Sequence, residues 1–194
     1  PPVCPLPLQM CLRDRTFILA AVAYLPLLAN DVGRVAADTK AYLYLDPGRL
    51  LARAPYMWQP EVAMGTVTHQ NIGYLWPVGP FFWLGETVGL PDWITQRLWM
   101  GSVLLAAGLG MRWFLRTLGW RGAAMLVSSL AYMLSPYLLN YMDRHSVILL
   151  PWAGLPWLMG LTVRALRTQG WRHAAIFGLV ALTIGGVNAS SLLL

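Results

Sequence analysis

Four apolar runs, at residues 93–115, 122–141, 146–163 and 173–194, fill the second half of this chain. Each has about the 17–25 residues that a tilted helix needs to cross a bilayer, and this recurrence constrains the fold more than any single motif. A fifth run, residues 16–30, is short for about 30 Å of hydrocarbon unless Val32 and its neighbours extend it. A cleaved signal peptide competes there, because the run is short and follows basic residues. NDVGRV lacks the small-x-small cleavage pattern, so we read a retained helix. With 57% hydrophobic and 11% charged residues and a mean hydropathy of +0.53, the chain is too apolar for a soluble domain of 194 residues. It reads as an all-α integral membrane protein.

Pro136, Pro151 and Pro156 fall inside these runs, where neighbouring helices can satisfy the freed backbone groups. Gly101, Ala106, Ala107 and Gly108 are small enough to let helices approach closely. The charges set the topology. Arg13 and Arg15 precede the first run, Arg112, Arg116 and Arg121 lie between the second and third, and Arg164, Arg167 and Arg172 lie between the fourth and fifth. These alternate segments hold eight Arg against one acid, Asp14, whereas the other two loops hold six basic residues against seven acids. By the positive-inside rule the N-terminus is cytoplasmic, and the long loop after the first run lies outside the cytoplasmic membrane. The net charge of +6 is therefore mostly a topology signal. No interleaved basic and aromatic patch points to a nucleic-acid partner. Cys4 and Cys11 make neither a disulfide framework nor a zinc site.

The expected organisation is a cytoplasmic leader at 1–15 and a transmembrane domain of about five helices at 16–194, with 31–92 as an extracytoplasmic loop. The chain begins with Pro and ends in SSLLL within an apolar run, which reads as the N-terminal part of a longer protein. Six of the eight carboxylates lie between Asn30 and Arg97, interleaved with Tyr, Trp and Phe. Asp46-Pro47 pairs an N-cap with Pro at the first helical position, which predicts a short helix over 48–54 ended by Pro55. WPVGPFFWLGETVGL is suited to a helix lying in the membrane interface. Asp92 follows Pro91 as a cap of the second run, a structural role.

Asp38 has no such explanation. It sits in AADTKAY without a Pro or turn signal beside it, and the plain alternative is a solvated or ion-paired loop acid. A carboxylate just outside a membrane span can take a proton from a sugar hydroxyl as general base. Lys40 and Arg97 can stabilise a departing lipid phosphate. Asp31, at the end of the first run, is the fallback acid. Asp143 and His145, two apart with Arg144 between, are weighed as ligands of a divalent cation against an ordinary polar loop and set below it. No metal or other cofactor is firmly implied.

ADTKAYLYLDPGRLLARAPYMW, HQNIGYLWPVGPFFWLGE, GLPDWITQRLW, LSPY and LLPWAGLPW, in this order and spacing, resemble the N-terminal membrane region of the actinobacterial α-(1→3)-arabinofuranosyltransferases that branch cell-wall arabinan. The resemblance runs from about Arg15 through nearly the whole chain. It implies a GT-C fold, a bundle of membrane helices whose first large outer loop carries the catalytic acid. It also implies decaprenyl-phosphoryl arabinose as donor, an arabinan acceptor, and inversion at the donor's anomeric centre. By resemblance Asp38 of the DTK element is the catalytic acid, while Gln70, Gln96 and Arg97 line the site near the donor. The competing reading is a non-enzymatic transporter or assembly subunit whose outer loop binds a partner. Transporters place charges in mid-span, and these span centres carry almost none.

Overall fold

The computed structural model of the chain describes residues 6–38, 42–60, 63–67, 71–142 and 144–185, and of residues 6–14 and 42 the backbone alone. The bundle is built around one helix, α5 (Asp92–Thr117). Small residues on α5 bring its neighbours close. The first helix, α1 (Leu6–Ala29), lays Tyr24 against Gly101 and pairs the Tyr24 hydroxyl with Ser102 Oγ at 2.9 Å. α6 (Ala124–Met133) sets Met133 against Gly108. α8 (Leu149–Thr168) packs reciprocally: its Trp157 lies against Gly110 of α5, and Trp113 of α5 lies against Gly160 of α8. The two indoles stack at 5.4 Å, and Trp157 Nε1 donates to the Ala106 carbonyl at 2.9 Å. A Cβ at Gly110 would fall 2.5 Å from Trp157 Nε1, so even Ala would push the indole out of this stack. α9 (Trp171–Gly185) then returns along α8, with Ile184 against Gly154.

Among the described residues two stretches, Asp92–Thr117 and Ser146–Thr168, are long and apolar enough to cross a membrane by length and composition. Arg15–Ala29 and Trp171–Gly185 are shorter apolar helices, and residues 186–194 of the expected last span lie outside the described residues. The helix of the first run is longer than its apolar part, because the leader is already helical from Leu6.

The run at 122–141 is not one helix, contrary to expectation. It divides into α6 and α7 (Pro136–Met142). Pro136 has no N–H to offer, and its ring clashes with the carbonyl four residues back, so the helix stops at Met133. Leu134 leaves helical geometry at φ −101°, ψ 22°, and Ser135 Oγ accepts from Leu138 N at 3.4 Å to open α7. Pro156 by contrast stays inside α8, as expected.

The segment between α1 and α5 holds local structure of its own. α2 (Tyr42–Leu45) leads into α3 (Pro47–Arg53), whose opening is as the sequence predicts: Asp46 Oδ1 accepts from Arg49 N at 2.8 Å. Two residues each from β1 (Trp58–Gln59) and β2 (Thr66–Val67) pair antiparallel, Trp58 opposite Val67. A 3₁₀ turn (Ile72–Leu75) precedes α4 (Val78–Thr87), the helix expected from its aromatic run. α4 buries Val78 and Phe82 against the bundle and rests on α5, where Gly85 meets Thr95. Tyr44, Phe81, Phe82 and Trp99 interlock edge to face, with Tyr44 and Phe82 centroids 5.1 Å apart and Phe81 and Trp99 5.3 Å apart. Such pairs add about 0.5–1.5 kcal/mol each beyond burial. This aromatic cluster ties the segment to the first turns of α5.

Candidate active site

The first two turns of α5 organise everything around Asp38. Gln96 is fully buried, and its amide closes both backbone groups of Ala36: Oε1 accepts from Ala36 N at 2.7 Å, and Nε2 donates to Ala36 O at 2.9 Å. A side-chain amide can mimic a strand partner in this way, and here it pins the segment that delivers Asp38 two residues later, where the Asp38 N–H turns back to the same Ala36 carbonyl at 2.8 Å. The Tyr44 hydroxyl fixes the far side, donating to the Asp38 carbonyl at 2.7 Å.

Asp38 itself is 3% exposed. Its carboxylate takes two hydrogen bonds from one residue, Ser146: the backbone N–H reaches Oδ1 at 2.8 Å, and the hydroxyl donates to Oδ2. Ser146 is fully buried and opens the 3₁₀ turn (Ser146–Ile148) that runs into α8. Trp99 Nε1 completes the relay by donating to Ser146 Oγ at 3.1 Å. The serine hydroxyl therefore has its proton directed at Asp38 and its lone pair held by α5. Two fixed donors orient the carboxylate, and a carboxylate can accept about four hydrogen bonds, so this orientation is compatible with proton transfer at the same group. Asp38 also lines a cavity of about 400 Å³ with Val35, Ala36, Ala37, Tyr44, Leu45 and Asp92.

Next to Gln96 lies Arg97, 7% exposed. Its Nη1 has a single weak contact, Met100 Sδ at 3.9 Å, and Nε is buried with no hydrogen-bond partner. Among the described residues no carboxylate pairs with it. A buried guanidinium left short of acceptors is costly, of order 1–3 kcal/mol for each unmade bond and more for a charged group. A guanidinium with donors to spare can pair with an anion.

The other expected site residues divide. Asp31 is exposed in the turn that ends α1, in the left-handed region at φ 48°, and it does not line the cavity. Lys40, Gln70 and Asp143 lie outside the described residues. His145 is exposed and precedes the 3₁₀ turn, and no group of three or more His, Cys, Asp or Glu able to hold a metal occurs among the described residues. Asp92 lacks the expected capping contact: Pro91 occupies the N-cap position, and no side chain caps the helix. Sequence reasoning missed Ser146, Trp99 and Tyr44. Their only signal was a polar or amphipathic residue beside an apolar run, which many positions share.

Residues 22–194 match the family model described as alpha-(1->3)-arabinofuranosyltransferase, N-terminal GT-C domain. The class is therefore that of the GT-C membrane glycosyltransferases. Within it, the chain belongs to the α-(1→3)-arabinofuranosyltransferase family, as the motif series suggests. The α-(1->3)-arabinofuranosyltransferase of Mycobacterium tuberculosis is 36% identical over 177 residues, and that of Mycolicibacterium smegmatis 35% over 176. Each alignment covers 89% of this chain, which spans only 12–13% of the length of those relatives. The cryo-EM structure of arabinofuranosyltransferase AftD from mycobacteria superposes with a TM-score of 0.83 at 33% identity, over 91% of this chain and 14% of that one. A mutant of the same protein gives 0.84 at 32% identity, over 94% and 15%.

Proposed function

We propose that this chain is the N-terminal, site-bearing part of a membrane arabinofuranosyltransferase that takes arabinofuranose from decaprenyl-phosphoryl arabinose and adds it to a cell-wall arabinan. The observation that carries the reading is Asp38: a buried carboxylate, aimed by both donors of Ser146, bordering a cavity at the mouth of α5. Asp38 takes the proton of an acceptor hydroxyl, whose oxygen attacks the anomeric carbon of the donor. The bond from that carbon to the phosphate oxygen breaks, the configuration inverts, and the lipid phosphate leaves as an anion. Arg97, with Lys40, supports that anion, while Gln96 acts through the Ala36 backbone it holds. Gln70 joins them on the donor side. Asp31 is the fallback base. Five membrane spans with a cytoplasmic N-terminus put residues 31–92 on the outer side of the cytoplasmic membrane, where a lipid-linked sugar and a wall glycan meet. The non-enzymatic alternative draws nothing from the relatives, both of which are named as transferases.

The test is Asp38→Asn in the full-length protein. The variant inserts and folds, and transfer falls by about 10²–10⁴-fold, the usual contribution of a general base. Asp46→Asn is the internal control, since Asn caps a helix about as well as Asp and transfer stays near wild type. Wild-type transfer by Asp38→Asn, with loss in Asp31→Asn, would move the base to Asp31.

A further inference from the structure

Asp92 is the second carboxylate on the Asp38 cavity. Asp92 and Gln96 are four apart on α5 and share a face. Gln96 clamps Ala36, so the segment carrying Asp38 is held along the same face that Asp92 heads, and the opening between them is the cavity of about 400 Å³. That volume lies in the range of small-molecule sites. The usual work of an acid at the start of a helix is to cap it, and Asp92 does not: its carboxylate makes no cap hydrogen bond, and the first turn is closed by the Pro91 carbonyl, which accepts from Ile94 N at 2.9 Å and Thr95 N at 3.1 Å. Asp92 is exposed at the cavity, and no hydrogen bond or ion pair holds its side chain among the described residues. No cation lines this cavity among the described residues, whereas the buried Arg97 has a donor to spare. The two halves differ in chemistry. An anionic leaving group belongs beside Arg97, and a neutral polyol belongs between the carboxylates.

We propose that Asp92 is the acceptor-positioning residue: it accepts hydrogen bonds from sugar hydroxyls neighbouring the one that Asp38 deprotonates, and so sets which hydroxyl of the acceptor glycan faces the base. This rests on the transferase reading above. Tyr44 and Leu45 supply the apolar wall against which a furanose ring lies, with Leu45 exposed at the cavity's edge.

The experiment uses the full-length protein in detergent with a synthetic arabinofuranose oligosaccharide as the acceptor probe, and compares Asp92→Ala, Asp92→Asn and Asp38→Asn. In Asp92→Ala the acceptor KM rises about ten-fold, the low end for a hydrogen bond to a charged group because the site is exposed. Donor KM stays within two-fold, and kcat falls no more than a few-fold. Asp92→Asn, which keeps one acceptor oxygen, falls in between. Direct binding of the same oligosaccharide by calorimetry gives the same ranking without turnover. An acceptor KM and Kd within two-fold of wild type in Asp92→Ala overturns the proposal, whatever happens to thermal stability, because a helix-end charge would move stability alone. Equal rises in donor and acceptor KM also overturn it, as does oligosaccharide binding that chelation of divalent cations abolishes in wild type with no further loss in Asp92→Ala. The Asp38→Asn arm separates the failures. Wild-type transfer there removes Asp38 as base while the calorimetry still decides Asp92; lost transfer there with an unchanged Asp92→Ala removes only the acceptor assignment.

Discussion

At the Thr117 end of α5 the arginines are spent on backbone and hydroxyl acceptors: Arg15 Nη1 donates to Gly122 O, Arg112 Nη1 to Thr16 Oγ1 and Arg167 Nη1 to Thr117 O, each at 2.6 Å. Arg164 completes that end by lying 4.9 Å from the centroid of the Trp113 ring. At the Asp92 end Arg97 is more deeply buried than these, and among the described residues its Nε has no partner and its Nη1 contacts only Met100 Sδ. The same residue type thus stands in two different environments at the two ends of α5. Arg167 meets the last carbonyl of α5, at Thr117, and brings a cation to the negative end of the macrodipole. At Arg97 the deficit is met by no other group among the described residues.

The acids sharpen the contrast. Asp38 and Asp92 share a cavity at the start of α5, while among the described side chains the Arg-rich end has no acid at all. If the two ends face opposite sides of a membrane, the difference is all-or-none in a reporter assay. A reporter fused after Trp58 or Gly85 is active only outside the cytoplasm, and one fused after Gly119 or Gln169 only inside. Each Arg costs about 2.5–3.5 kcal/mol at a helix centre on insertion scales, so eight against one acid is a strong bias. Cytoplasmic activity from the Trp58 fusion would break the comparison at its root.

The next effect in size concerns Arg97. In the full-length protein, Arg97→Ala lowers transfer by about 10²–10³-fold, the range for removing one preorganised donor from a developing anion. Arg97→Lys recovers little, because Lys keeps the charge and loses the planar fork that grips a phosphate through two bonds. Full activity in Arg97→Lys would reduce Arg97 to an anchor of the helix and make the two ends of α5 alike.

The smallest expected effect is at the other end. Arg167→Ala removes a hydrogen bond to the Thr117 carbonyl and a cation at a helix C-terminus, and costs about 1 kcal/mol of stability. Transfer at saturating substrate stays at wild-type level, read alongside thermal unfolding of the same preparation. A loss of transfer matching that of Arg97→Ala, at unchanged stability, would mean that the Arg-rich end also takes part in the reaction.

Short-range physics is legible directly along the chain. The length and apolarity of 93–115 predict α5 within two residues at its C-terminal end and one at its N-terminal end, because twenty-odd apolar residues in series have few other ways to satisfy their backbone. Asp46-Pro47 opens α3 as expected, since the bond from Arg49 N to Asp46 Oδ1 spans three residues. Pro136 was visible too, but whether it would bend a helix or end one depended on Ser135, whose side chain was free to open a new helix there. Asp38 stood out by elimination. Its partner did not: Ser146 is 108 residues away, and Gln96 reaches Ala36 across 60. Nothing within a few residues of Asp38 selects Ser146 over the chain's other hydroxyls. That choice follows from how Gly101, Gly108 and Gly110 let α1, α6 and α8 close on α5, which fixes where the start of α8 meets the segment after α1. Asp92 shows the same division. Its local context predicts a cap, and only the packed bundle turns it toward the cavity of Asp38, because a side chain's local preference is worth about 1 kcal/mol and the packing of whole helices outweighs it.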